Sequence, residues 1–269
     1  MSRNFIVILS LLIVFVFNRA VCADSINVIT LTDVVNERDS SSLLIGATES
    51  QIQKYFPDKK MKNQIAAFLV DFDGKEILFD TGLPDGKIAN ELVKNNRNPE
   101  DIKIILLTHL HGDHFGGLAN SEGKATFPNA EVYVSNPEYN YWVNETKNDS
   151  VIKTLKLYEN HLHFFNFNDE VIKGVKAIDT TGHTPGHTSF LIESGNEKFL
   201  VLGDILHFID IQLEIPEIAV KYDVDPVKAV QSRKFIFDYA AENNIKVAGM
   251  HTIPGIFSLK KSGLGYEKF

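Results

Sequence analysis

Thr108-His109-Leu110-His111-Gly112-Asp113-His114-Phe115-Gly116-Gly117 follows an apolar run, Ile102-Lys103-Ile104-Ile105-Leu106-Leu107, that reads as a buried strand. Three histidines and one aspartate fall within six residues. In an extended segment residues i and i+2 share a side, so His109 and His111 can grip one ion from one direction. Asp113 and His114 arrive as the chain turns and can face a second ion close by. Gly116 and Gly117 let the backbone turn sharply and pack tightly as a helix begins. Imidazoles plus a carboxylate suit zinc, and iron, manganese or cobalt can occupy similar N/O sets. A surface loop that merely happens to be histidine-rich is the alternative, but four ligand-type residues at this spacing are rare by accident.

The remaining composition is that of an ordinary folded chain. Of 269 residues, 44% are hydrophobic and 23% charged, enough to fill a core within one domain. The formal net charge is −8 and no long basic run is present, which argues against a nucleic-acid partner. Residues 1–23 read as a signal peptide: Arg3 gives a positive start, Phe5 to Phe17 is apolar apart from Ser10, and Val21-Cys22-Ala23 precedes Asp24. Thirteen helical residues would span only about 20 Å, too short for a membrane anchor across a ~30 Å hydrocarbon layer. Cleavage after Ala23 would leave residues 24–269 as one domain, periplasmic or secreted, with no stable membrane association. It would also remove Cys22, the only cysteine, so neither a disulfide nor a thiolate nucleophile would be available.

Along the rest of the chain, strands are predicted at Ile26 to Leu31, Gln64 to Phe72 and Lys75 to Phe79, with Asp73-Gly74 as a hairpin turn. Asp39 to Ser42 reads as a loop. Helices are predicted at Thr48 to Tyr55, Lys87 to Asn95, from Asn136 onward, and at Asp149 to Asn160. Asp225 and Pro226 cap a further helix running to Asn243. His161 and His163 are spaced like a ligand pair, but no carboxylate or glycine turn accompanies them, so they read as loop or strand-face residues.

The His-x-His-x-Asp-His run resembles the signature of the metallo-β-lactamase superfamily, and other motifs follow in that superfamily's order. Asp80-Thr81-Gly82 is similar to its first motif, an aspartate that buttresses the metal loop. Thr180-Thr181-Gly182-His183-Thr184-Pro185-Gly186-His187 resembles the stretch carrying the third ligand. The match is placed at His187, after Pro-Gly and before a strand, with His183 as a structural neighbour. Asp204 resembles the bridging aspartate, and His251, late in the chain at a strand end, the last ligand. The resemblance implies an α/β fold, a four-layer αββα sandwich with the site at one edge of its two sheets. It implies two zinc ions, one on His109, His111 and His187, the other on Asp113, His114 and His251, with Asp204 between them.

That resemblance also implies chemistry: a hydroxide shared by two metals opens lactone or ester bonds in a small-molecule substrate, and Asp113 or His207 carries the proton to the leaving group. Asp204-Ile205-Leu206-His207, Arg233 and the Gly249-to-Tyr266 ending look like the branch of N-acyl-homoserine lactonases and methyl parathion hydrolases. Phosphotriester hydrolysis is the runner-up, followed by β-lactamase, thioesterase and a non-catalytic metal-binding protein. A homodimer is compatible with the resemblance. Phe115, Trp142, Phe208 and Phe257 are candidate pocket residues, with apolar core as the default reading for each.

Overall fold

The computed structural model describes residues 25–269, so the expected signal segment lies outside the described residues. Two six-stranded sheets form the centre. One runs in chain order through Asn27–Asp39, Lys60–Phe72, Lys75–Phe79, Ile104–Leu106, Glu131–Ser135 and Leu162–Phe165. The other runs in reverse chain order from Ile256–Phe257 through Lys246–Gly249, Glu197–Gly203, Thr188–Ser194 and Val175–Asp179 to Glu170–Ile172.

Strand alternation explains the layering. Phe68, Val70 and Phe72 point inward to meet Phe190, Ile192 and Val201 of the other sheet. Their neighbours Ala67 and Leu69 point outward, under Ile88, Leu92, Val151 and Leu155 of the helices Ile88–Lys94 and Asp149–Lys156. On the far side, Leu191, Leu200 and Leu202 pack beneath Ile236, Phe237 and Ala240 of the helix Pro226–Glu242. The order of layers is therefore helix, sheet, sheet, helix. Each fully buried Leu, Ile or Phe contributes about 1.5–3 kcal/mol of transfer free energy. Among the described residues no helix is long and apolar enough to cross a membrane.

Most predicted elements form within a few residues of their expected bounds. Asp225 caps the long helix, its side chain accepting from Lys228 N at 3.0 Å. Two departures matter for the site. The first strand does not stop at Leu31 but continues to Asp39, paired with the second strand from Asn27↔Asp71 to Asp39↔Lys60. The strand Lys75–Phe79 covers only Phe68 to Phe72 of that partner, so the rest projects past the sheet as a two-stranded ribbon. Instead of a loop at Asp39 to Ser42, a helical turn Ser40–Leu43 follows. His161 and His163 lie at the edge strand, exposed, paired with the two oxygens of Glu131 at 2.9 and 2.5 Å.

Candidate metal centre

All the candidate ligands leave strand ends on the same rim of the sandwich. The strand Ile104–Leu106 delivers Thr108 to His114, Glu197–Gly203 delivers Asp204, and Lys246–Gly249 delivers His251. Gly117 lets the metal-loop backbone press against the Asp80 turn, since a Cβ there would lie 2.0 Å from the Thr81 carbonyl oxygen. Asp80 itself is fully buried and accepts from Thr108 N and Thr108 Oγ1, both at 2.8 Å.

Hydrogen bonds fix how each imidazole points. His114 Nδ1 donates to Asp80 Oδ2 at 2.7 Å, and His251 Nδ1 to the Gln64 carbonyl at 2.8 Å. Thr108 Oγ1 gives its proton to Asp80, so it accepts from His109 Nδ1 at 3.0 Å. His183 Nδ1 donates to Asp223 Oδ1 at 2.8 Å. In each case the partner holds a proton on Nδ1 and leaves the Nε2 lone pair facing the centre. His109 Nε2 lies 3.0 Å from His111 Nδ1, which lies 3.0 Å from His183 Nε2. Nitrogens on a tetrahedral ion at 2.0–2.1 Å stand about 3.3 Å apart, so these three are spaced for one cation.

Asp204 lies between two such groups. Its Oδ2 is 3.2 Å from His183 Nε2, 3.7 Å from His109 Nε2 and 3.1 Å from His251 Nε2, and its Oδ1 is 3.2 Å from His114 Nε2. Asp113 completes the second group, 3.7 Å from His114 Nε2 and 3.6 Å from His251 Nε2. Buried His114 Nε2 and Asp204 Oδ1 have no hydrogen-bond partner. Nitrogen lone pairs, carboxylate oxygens and orphaned buried acceptors converging on one volume fit divalent metal ions.

One expectation is corrected. His187, predicted as the third ligand, does not face the centre, and His183 does. His187 Nδ1 donates to the Thr180 carbonyl at 3.1 Å, while its Nε2 accepts from the Asp204 backbone N–H at 2.9 Å. Both ring nitrogens are spent on holding the strand end that presents Asp204. The packing there is tight: Gly203 has φ +63, and a Cβ on it would come within 2.5 Å of His187 Nε2. His183, His109, His111 and Asp204 instead form a group whose ligand atoms lie within 4.8 Å of one another.

The electrostatics call for positive charge. Burial alone would raise the Asp204 carboxyl, but the surrounding histidines, His114 foremost, hold it well below the usual carboxylate range. Burial, then the charges of His114 and its neighbours, pushes His109 well below 6.5. Burial and His183 press His111 down to about 3. Burial would lower His183 too, but hydrogen bonds to Asp204 and Asp223 carry it up to about 9. Without metal, protons on His183 and its neighbours are what balance the carboxylates.

A cavity of about 320 Å³ opens above this cluster. Its walls include Arg38, Asn63 and Ile65 of the ribbon, with Tyr222 and His207. In the ribbon, Arg38 pairs with Met61 and Asn36 with Asn63, so these side chains share one face. The expected pocket aromatics lie elsewhere: Phe115, Phe208 and Phe257 are buried in three separate apolar clusters, and Trp142 packs edge-on against His111 at 5.5 Å. Arg38, Asn63 and Tyr222 were not anticipated. A signal existed, since alternating Val34, Asn36 and Arg38 continue the first strand's period, but polar residues mask it. His207 sits in the pocket, stacked on His251 at 5.0 Å, with its Nε2 3.2 Å from Asp204 Oδ2.

A mixed sandwich with a rim of histidines and aspartates defines a class, and comparison with known proteins gives its name. Residues 62–241 match the metallo-beta-lactamase superfamily, and the chain belongs to it. Among solved structures, AidC, described as a dizinc quorum-quenching lactonase with the product N-hexanoyl-L-homoserine, aligns with a TM-score of 0.84 and 26% identity, covering 92% of this chain and 95% of that one. The hydrolase AbOPH aligns with a TM-score of 0.81 and 30% identity, covering 91% and 94%. An N-acyl homoserine lactonase from a Bacillus species is 27% identical over 163 residues, which is 51% of this chain and 62% of that relative. The chain thus spans less than two thirds of that relative's length.

Proposed function

We propose that this protein is a metal-dependent hydrolase that opens lactone or ester bonds, with N-acyl-homoserine lactones the substrate class to test first. The observation that carries the reading is the Asp204 carboxylate, set between two groups of inward-facing ligands at the floor of an open cavity. We assign one ion to His109 Nε2, His111 Nδ1 and His183 Nε2, and a second to Asp113, His114 Nε2 and His251 Nε2, with Asp204 offering an oxygen to each. Zinc suits this donor set. Divalent metals so held would act as Lewis acids towards a carbonyl oxygen and make water a nucleophile near neutral pH.

The chain's own residues supply the rest. Asp80, Thr108, Asp223 and Gln64 hold the imidazoles in their metal-binding tautomers. Burial lowers His207 to about 4, and its ring lines the pocket with Nε2 3.2 Å from Asp204 Oδ2, within reach of a substrate oxygen. Asp113, with a side chain 27% exposed at the pocket floor, is placed to pass the proton to the leaving oxygen. Among the described residues Arg38 lines the cavity and makes no ion pair, leaving it free to meet a polar part of the substrate.

The test is metal content by mass spectrometry beside turnover of acyl-homoserine lactones, aryl esters, a phosphotriester and nitrocefin. Two metals per chain with lactone turnover is the expected result. Phosphotriester turnover alone would replace the substrate class, and no metal under replete conditions would overturn the reading. We also propose export directed by residues 1–23. N-terminal sequencing of the protein from the producing cell's exterior or periplasm should begin at Asp24; an intact Met1 would reject it.

A further inference from the structure

Glu138 lies outside every ligand group, yet it is fully buried and accepts four hydrogen bonds. Leu110 N donates to Oε1 at 2.8 Å and Trp142 Nε1 to Oε1 at 2.6 Å. Thr184 Oγ1 donates to Oε2 at 2.7 Å and Gly186 N to Oε2 at 2.9 Å. Leu110 stands between His109 and His111, and Thr184 and Gly186 follow His183. One carboxylate therefore clamps both loops that carry the three histidines of the first group.

The local fold is built for this contact. Ser135 caps the short helix Asn136–Tyr139, accepting from Glu138 N at 3.3 Å and donating to the Gly186 carbonyl at 2.8 Å. Gly186 is required by the approach, because a Cβ there would lie 2.1 Å from Glu138 N. The next turn, Asn140–Glu145, widens to π-helix, a feature common at functional sites. From that turn Trp142 reaches back to Glu138 while its ring meets His111 at 5.5 Å.

The chemistry also singles this residue out. Three of the four partners are backbone or indole N–H groups that only donate, and the ionised carboxylate meets all four contacts with acceptors alone. Burial pushes the Glu138 carboxyl up, against those donors. Among the described residues no Lys, Arg or His pairs with it. A buried charge without a counter-ion is expensive, and a cation on the adjacent histidines would supply the missing balance.

We propose that Glu138 is a positioning residue for the first metal: it sets the spacing of His109, His111 and His183 and adds negative charge behind them. The inference rests on the metal assignment above. Glu138→Gln removes the charge and turns an amide N–H toward a backbone or indole N–H that can only donate.

The experiment titrates Co²⁺ into metal-free wild type, Glu138→Gln, Thr184→Val and Asp80→Asn, following absorption and chelator competition, with circular dichroism as the folding check. Glu138→Gln should weaken the His109–His111–His183 site by about 10–100-fold, the usual cost of losing an outer-shell partner, and leave the other site near its wild-type affinity. Asp80→Asn, which bonds His114 directly and His109 only through Thr108, should weaken the second site more than the first. Thr184→Val, which keeps the carboxylate and three donors, should weaken the same site less than Glu138→Gln. If Glu138→Gln does not fold, Thr184→Val decides. Unchanged affinity in the folded variants, or equal loss at both sites, overturns the proposal while leaving the functional reading intact. A wild-type chain that takes up no metal overturns both.

Discussion

Two loops carry histidines to this site, and they teach different lessons. In Thr108–Gly117 the alternation of an extended segment places His109 and His111, and the following turn brings Asp113 and His114, so spacing alone anticipates which residues converge. In Thr180–Ser189 two histidines, His183 and His187, stand four residues apart in similar surroundings. Only the fold shows that His183 turns its Nε2 inward, whereas His187 spends both nitrogens on Thr180 and the Asp204 backbone. Local sequence decides which residues converge where the period is short and regular. Where the chain turns through glycine and proline, distant partners fix the orientation: here Asp223 for one ring and the Asp204 N–H for the other.

The largest expected effect lies where the two loops meet. Asp204→Asn should cut hydrolysis by more than about 100-fold and unbalance metal content, since even outer-shell changes cost 10–100-fold in affinity. Wild-type turnover would break the two-group arrangement. Next comes the pair that separates the loops. His183→Ala should lose a metal, seen by mass spectrometry. His187→Ala should keep both metals and instead lower stability by about 1–3 kcal/mol, because the buried Asp204 N–H loses its acceptor. The reverse outcome would restore the expectation from sequence.

A smaller effect concerns pH and the chelator-stripped protein. His183 is raised to about 9, and His114 and His251 are also raised; burial opposes this, but Asp204 and other carboxylates prevail. Their folded-state pKa values exceed the unfolded 6.5, so the stability they give is fully present below 6.5 and is lost as pH rises towards 9. Burial lowers His109, His111, His187 and His207, the last three to about 3, 3 and 4; the unfolded chain therefore takes up protons first, and stability falls as pH drops below 6.5. The metal-free melting temperature should peak near pH 6.5, and metal loading should flatten the alkaline side. A monotonic rise to pH 9 without metal would contradict the protonated His183. Smallest of all, Glu131→Gln, which breaks the exposed pairs with His161 and His163, should change stability by under about 0.5 kcal/mol and leave metal content untouched.

The sandwich was legible because its signals are local and repeated. Alternating apolar strands such as Gln64 to Phe72, the Asp73-Gly74 turn, and the Asp225-Pro226 cap each form where the residues demand. The ribbon was not, because beyond Leu31 the polar residues Asn36, Glu37 and Arg38 carry no apolar stripe. What extends that strand is its hydrogen-bonded partner, Lys60 to Ile65, far along the chain. The pocket wall of Arg38, Asn63 and Tyr222 went unforeseen for the same reason. Glu138 gave no signal in sequence either, since its four donors come from Leu110, Trp142, Thr184 and Gly186.

By itself, then, the sequence determined the layers, the strand ends from which the ligand-bearing loops spring, and the kind of chemistry those side chains can support. These depend on side-chain type and on periods of two or 3.6 residues, which survive in one dimension. Tertiary structure decided which of two histidines faces the centre, which strand walls the pocket, and which buried carboxylate ties the loops together. Each of those outcomes depends on a hydrogen-bond partner tens of residues away, and no local period encodes such a partner.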